Sequence, residues 1–271
     1  MMRALWTGAS GMKAQQTNVD TIANNLANVN TIGYKTQKSE FKSLLYQTLQ
    51  ERTTTANGEP KPTTAQVGLG AKIAAVNSIY TQGAQFSSDS KTALMINGQG
   101  FFSIQGDDGG VYYTRNGEFG WAMGADGVRT LTDSMGHKVL DQQGVPITLP
   151  NEAGNDITFG THGELAYRNA QGNYVLTGQA VGLYQFANPV GLEKRGNNIL
   201  AASVASGPAM NEATTNGMVR SSVAQGFLEG SNVNVADEMV NLIIAQRAYQ
   251  MNSKAITTSD TMLEEANNLK R

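Results

Sequence analysis

The stretch that decides the fold is VNVADEMVNLIIAQRAYQMNSKAITTSDTMLEEANNLKR, residues 233–271. Within it Val235, Leu242, Tyr249, Ile256 and Leu263 recur at a step of seven, which holds an apolar line on one side of a slightly supercoiled helix. Asn234 stands where an N-cap belongs. Asp237 and Glu238 follow in the first turn, where the positive end of the helix dipole favours carboxylates, and Lys270 and Arg271 occupy the last turn. At about 1.5 Å per residue such a helix is a rod of roughly 50 Å, longer than a self-contained domain needs. The other end of the chain repeats the pattern through Leu5, Met12, Val19 and Leu26. Ala9, Ala23, Met239, Ala245 and Ala266 widen the two lines without bulk. The spacing therefore predicts terminal helices over residues 1–30 and 231–271, paired as a coiled-coil-like stalk, with another copy of the chain as the next available partner.

The first of these helices is short of charge, carrying only Arg3, Lys13 and Asp20 over residues 2–28. Gln15, Gln16, Thr17, Asn18, Thr21, Asn24, Asn25 and Asn28 stand where a solvated helix would place Glu and Lys. Asn and Thr are poor helix formers, so both ends are expected to be weakly ordered in the monomer and fixed on polymerisation.

Between the ends the period changes. Asn30, Thr31 and Gly33 carry turn chemistry and mark a joint. Tyr34 to Leu49 reads as extended or partly helical, anchored by Phe41, Leu44, Leu45 and Tyr46, and residues 47–70 are Thr-rich with two prolines and Asn57-Gly58. Residues 31–70 are thus an extended connecting arm, either a plain linker or a contact arm between subunits. From Ala71 to Gly191 apolar and polar residues alternate at period two, and Asp108-Gly109, Asn116-Gly117, Asp126-Gly127 and Asn155-Asp156 fall at hairpin spacing. This is an antiparallel all-β domain. Residues 192–230 return to Gly, Asn, Ser and Ala as a second connector, which makes the fold class α+β.

Composition narrows the function. The 271 residues are 40 % apolar and only 15 % charged, with a net charge of -2. Little of the surface is built for solvation by charge, and no basic stripe exists for nucleic acid. With no cysteine there are no disulfides, thiolate nucleophiles or cysteine-based metal sites. No apolar run approaches the roughly 18 residues of a membrane span, direct membrane insertion is not expected, and the first residues lack the apolar core of a cleavable signal peptide.

Candidate sites for chemistry dissolve on inspection, and no catalytic, cofactor or metal residue is assigned. His137 and His162 are the only histidines, both beside glycine in turn contexts. Gly98-Gln99-Gly100 begins like a dinucleotide fingerprint, but Ser103 stands where the third glycine belongs and β residues follow. Gly106 to Gly110 has the composition of a calcium loop without its spacing and reads as a hairpin tip. A cell-wall hydrolase would need converging carboxylates. Glu118, Asp126 and Asp133 are available for that, and turns explain them more simply.

Two runs carry a resemblance. ALWTGASGMKAQQTNVDTIANNLANVNTIGYKTQKSEF is similar to the N-terminal signature of bacterial flagellar rod and hook axial proteins through Gln15, Asn18, Asn24, Asn25, Leu26, Ala27, Asn28, Thr31, Gly33 and Tyr34. EGSNVNVADEMVNLIIAQRAYQMNSKAITTSDTMLEEANNLKR resembles the C-terminal half through Glu229, Asn232, Asn234, Glu238, Met239, Gln246, Arg247, Tyr249, Asn252 and Leu263. INGQGFFSIQ with YYTRNGEF is similar to the family's β domain. LLYQTL, the Thr-rich segment and QVGLGAKIAAV look most like the distal-rod branch. ERTTTANGEPKPTT, more charged than the family pattern, and Gly230, where Ala is commoner, depart from it.

The resemblance implies a non-enzymatic subunit that leaves the cytoplasm through the flagellar type III export apparatus and stacks into a hollow drive shaft in the periplasm. Its implied partners are further copies of itself, the proximal rod proteins, the hook protein, and the bushing rings of the periplasm and outer membrane. Periodicity and resemblance together assign Leu5, Met12, Gln15, Asn18, Val19, Asn24, Asn25, Leu26, Asn28, Gly33, Asn232, Asn234, Met239, Leu242, Gln246, Tyr249, Ile256 and Leu263 to subunit packing.

Overall fold

The computed structural model describes residues 2–50, 65–124, 127–150, 156–169, 172–215 and 217–269. The Thr-rich stretch 51–64, Asp126, Asn155, Lys270 and Arg271, each given a role above, lie outside the described residues. The chain divides into two compact units. One, the helical unit, takes Met1–Ala27, Gln37–Ser78 and Asn234–Arg271, and the other, the β unit, takes Asn28–Thr36 and Ile79–Val233.

The helical unit is built on α1, Met2–Ala27, and α2, Val235–Asn268. Asn234 caps α2, its side chain accepting from the amide of Ala236 at 3.1 Å and donating to Asp237 at 2.8 Å. The hydroxyls that weaken helix propensity are satisfied within the helices: Thr7 donates to the Arg3 carbonyl, Thr21 to Thr17 and Thr258 to Lys254. The two helices run antiparallel. Gly8 lies against Ile256 and Gly11 against Asn252, each so close that an added Cβ would sit 2.9 Å from the facing side chain. Toward the other end Asn25 Nδ2 donates to Glu238 Oε2 at 3.2 Å.

The seam follows one half of the expected pattern. On α1 the covered positions are Leu5, Gly8, Met12, Gln15, Val19, Ile22 and Leu26, in alternating steps of three and four. On α2 they are Glu238, Leu242, Ala245, Asn252, Ile256, Ser259 and Leu263. Val235, Met239 and Tyr249, expected on the seam, are instead exposed, as are Ala9, Ala23 and Ala266. An α-helix turns about 20° past a seven-residue repeat in each heptad, so the small and polar column beside the apolar one carries the contact.

A second face of α1, through Ala14, Thr21 and Asn25, is buried against the antiparallel ladder of Gln37–Ser43 with Ala71–Ser78. Ser39 Oγ donates to Thr21 Oγ1 at 3.0 Å, and the Asn25 amide exchanges two bonds with the backbone of Gln37, at 2.8 and 2.9 Å. Thr21 and Asn25, assigned above to an outward polar face, are therefore internal. A continuing ladder pairs Tyr46–Gln50 with Ala65–Gly68. Phe41, Leu45 and Tyr46 were expected to anchor this segment. They are exposed instead, Leu45 at 82 %: Phe41 is on a strand whose covered position is Ser39, Leu45 falls in the break between the two ladders, and Tyr46 begins the second.

In the β unit all strand pairs are antiparallel. The main sheet runs Thr148–Leu149, Arg129–Asp133, Lys138–Val139, Phe101–Gln105, Val111–Thr114, Ile199–Ala201 and Glu193–Gly196 in spatial order. Residues 192–230, read above as a connector, contribute five strands, four of which pair with earlier ones: Ile199–Ala201 with Val111–Thr114, Met210–Asn211 with Leu183–Gln185, Ser222–Gln225 with Leu94–Asn97, and Phe227–Glu229 with Gln85–Ser87. Leu94, Ile96, Phe102, Ile104, Leu131, Val139, Ile147, Leu149 and Val223 form the principal core. A second cluster of Phe101, Tyr113 and Phe186 packs edge to face, with centroids 4.8 to 5.8 Å apart. Asn116-Gly117, expected at a hairpin, is instead a crossing turn: Val111–Thr114 does not pair with Phe119–Met123, and Gly117 meets the Leu94 backbone so closely that any Cβ would overlap it.

Candidate functional site

Three segments of the β unit stand next to the points where the chain passes to and from the helical unit: Gly33–Thr36, Ile79–Gly83 and Glu229–Val233. One side chain ties them together. Asn232 Oδ1 accepts from both the amide and the hydroxyl of Thr36 at 2.7 Å, while its Nδ2 donates to the carbonyls of Ile79 and Thr81 and to the Thr81 hydroxyl at 2.8 to 3.2 Å. The Ile79 amide in turn donates to the Thr36 carbonyl at 2.8 Å. An amide presents a donor and an acceptor in one plane, so Asn suits this bracket and Asp would lose the donor side.

Beneath the bracket lies a buried ionic cluster. The Glu229 side chain is 1 % exposed, with Lys35 Nζ 2.6 Å from Oε1 and Arg115 Nη1 3.3 Å from Oε2. The Gly83 amide also donates to Oε1 at 3.0 Å, and Lys35 donates to the Thr81 carbonyl at 2.7 Å. Arg115 Nη2 donates to the Gly98 carbonyl at 2.8 Å, its guanidinium lies 5.0 Å from the Phe101 ring centroid, and its Nε has no partner among the described residues. Burial holds the Lys35 ammonium below its ordinary pKa, against the charge and hydrogen bond of Glu229, and burial likewise lowers Arg115. A buried carboxylate between two cations is a poor source of net stability, but removing it strands two charges in a low-dielectric interior.

Glycines let the backbones meet here. Gly33 has φ +70°, its amide donates to the Glu229 carbonyl at 2.8 Å, and a Cβ there would lie 2.7 Å from the Asn116 amide. Gly83 meets the Gly230 carbonyl so closely that no Cβ fits, and a Cβ on Gly230 would press 2.2 Å from the Phe86 ring. The departure at Gly230 is thus matched by an aromatic ring in the space that an alanine methyl would need. Asn198, at φ +60°, reaches across from its turn to donate to the Ile32 carbonyl at 2.8 Å.

Of the residues assigned to packing, Gly33 and Asn232 belong to this clamp. Leu5, Met12, Gln15, Val19, Leu26, Leu242, Ile256 and Leu263 lie half-buried along the helix seam, Asn18 is half-buried on α1, and Asn25 is buried. Asn24, Asn234, Met239, Gln246 and Tyr249 are exposed, and Asn28 accepts from the Thr31 hydroxyl at 3.0 Å. Lys35, Thr36, Thr81, Arg115 and Glu229 were not assigned by sequence reasoning, although Glu229 is in the quoted signature. A lone charged residue between short apolar runs gives no spacing by which to find its partner, and Lys35 and Glu229 are brought together only by the fold.

Outside the seam α2 carries a second apolar line, Val240, Ile244, Met251 and Met262, each between 53 and 66 % exposed. No helix of the described residues is long and apolar enough to cross a membrane, and no group of three metal-ligating side chains occurs among them.

Two long terminal helices lying together, with the β residues strung between them, define the class of the flagellar rod and hook axial proteins. Three family models fall on these parts: the flagella basal body rod protein on residues 5–35, the flagellar hook protein FlgE/F/G D1 domain on 95–167, and the flagellar basal body rod FlgEFG protein C-terminal on 224–269. The chain is 45 % identical to the flagellar basal-body rod protein FlgG of Borreliella burgdorferi over the full length of both. It is 38 % identical to FlgG of Bacillus subtilis, again over the full length of both, and 41 % identical to FlgG of Agrobacterium fabrum over 96 % of this chain and 97 % of that one. The chain belongs to the flagellar basal-body rod protein family and is most like its FlgG members.

Proposed function

We propose that the protein is the subunit of the distal part of the rod. It polymerises helically into a rigid hollow shaft that carries motor torque to the hook and leaves a lumen for exported subunits. The observation that carries this reading is the second apolar line on α2. Val240, Ile244, Met251 and Met262 repeat at steps of four, seven and eleven, and such a line on an otherwise solvated helix asks for another helix. The occupant is a terminal helix of a neighbouring copy. The alternating steps of three and four along the inner seam support coiled-coil-like pairing of α1 with α2. Leu45, Tyr46 and Leu49, exposed on the ladder that enters residues 51–64, suit contact with adjacent subunits rather than water.

In this assembly Leu5, Leu242, Ile256 and Leu263 hold each subunit's helices together, and Met239, Gln246 and Tyr249 meet the neighbours. The chain passes through the type III export apparatus, stacks on the proximal rod proteins, bears the hook protein and turns within the periplasmic and outer-membrane rings. Electron microscopy of basal bodies from cells lacking the gene tests the reading. Structures ending at the proximal rod, with neither distal shaft nor hook, are the expected result. A complete rod without a hook would assign the chain to the hook, and intact flagella would overturn the assignment.

A further inference from the structure

The order of the chain and the order of the β unit's contacts disagree. Leu94–Asn97 runs through the principal core, yet among the described residues its one ladder partner is Ser222–Gln225, far later in the chain. Gln85–Ser87 likewise waits for Phe227–Glu229. Val223 fills a place in the core otherwise made by earlier residues. Lys35 and Arg115 have one carboxylate in salt-bridge contact among the described residues, and it is Glu229. The three segments bracketed by Asn232 include two that precede it by some 150 residues or more.

We propose that residues 222–232 are a terminal bolt, so that the β unit stays open while the chain is made and closes only when this segment arrives, with Glu229 as the locking residue. Before that point the strand Leu94–Asn97 has unpaired backbone along one side, and each buried amide or carbonyl left unmet is costly. Lys35 and Arg115 would be two cations in one interior without their salt-bridge carboxylate, and Glu212 acts on Arg115 only without direct contact, a state that favours leaving them in water. The cooperative fold is therefore withheld from the first 221 residues and released over the next eleven. A chain that emerges N-terminus first, as every chain does in synthesis, remains extensible until almost all of it has been delivered. This inference concerns the single subunit and stands apart from the rod assignment.

The test follows the chain during translation, with a force-sensitive arrest peptide fused after successive positions so that folding outside the ribosome releases the stall. The expected result is no release while residues up to 221 have emerged, a sharp rise once residue 232 is clear, and loss of that rise in Glu229→Gln. Val223→Ala, which leaves all charges in place, should weaken the rise without moving its position. Release at full strength with only residues 1–221 outside, or a rise that appears only after α2 has emerged, overturns the proposal. In the full-length protein, denaturant-jump kinetics supply an independent reading. Because the cooperative step requires the bolt, Glu229→Gln should lower the folding rate in step with the loss of stability. A folding rate left unchanged while only unfolding accelerates contradicts the proposal.

Discussion

Glu229 has most of its consequences at a distance of one hydrogen bond. Replacing it with alanine leaves Lys35 and Arg115 buried without their salt-bridge partner, and the β unit should lose about 3–5 kcal/mol in urea unfolding. A double variant that also turns Lys35 into methionine should recover part of that loss, because an apolar side chain asks for no partner there. Gly230 offers a separate test of close packing. Gly230→Ala should cost about 1–3 kcal/mol, and Phe86→Ala should relieve it, since the ring occupies the space that the methyl would need. Tyr113, packed 4.8 Å from the Phe186 ring, has its phenol pushed up to about 12 by burial, with a smaller contribution from Tyr184. The folded state then holds this proton more tightly than the unfolded chain does. Its contribution is intact below about pH 10 and fades as pH rises toward 12. Urea titrations across that range should show the fall, and Tyr113→Phe should remove that part of it.

The helices depend on side chains that a hydrophobic count overlooks. Gly8 and Gly11 let α1 approach α2, and Gly8→Val would drive a branched side chain into Ile256, so the helical signal should melt earlier by an amount equivalent to about 1–3 kcal/mol. Circular dichroism on the full chain reads this, and an unchanged melt would remove Gly8 from the seam. The existence of both helices was legible in the sequence because an apolar step of seven, sustained over four or five repeats, fits the period of a helix and clashes with that of a strand. The face was only half legible. Leu242, Ile256 and Leu263 are half-buried, whereas Val235 is exposed and Tyr249 only lines the mouth of a groove with Gln16 and Val19, because the companion column is made of Glu238, Ala245, Asn252 and Ser259, which no apolar pattern reveals. The antiparallel β character was likewise plain from period two and glycine turns. The strands within 192–230 were hidden by Ala, Ser and Asn, whose weak strand preference is overridden by pairing with Leu94–Asn97 and Gln85–Ser87. The clamp was hidden for a different reason: Lys35, Arg115 and Glu229 are each alone in sequence, and a charge cluster assembled across nearly 200 positions leaves no local mark.

At the scale of the molecule, low charge, an exposed apolar line on α2 and the exposed Leu45, Tyr46 and Leu49 all leave surface that one chain does not cover. In the proposed assembly a rod subunit meets that need by stacking, and its own fold is separable from it: the β unit would close on Glu229, while the apolar line of α2 would face the next copy. The most direct measurement is to restore a strain lacking the gene with Val240→Asp combined with Ile244→Asp, and to image its basal bodies beside wild type while the purified variant is unfolded in urea. The expected outcome is a subunit as stable as wild type, because both side chains are exposed in the single chain, together with basal bodies that stop short of the distal shaft. Shafts of full length built from the doubly charged subunit would contradict the account, for they would show that this face of α2 meets no neighbour.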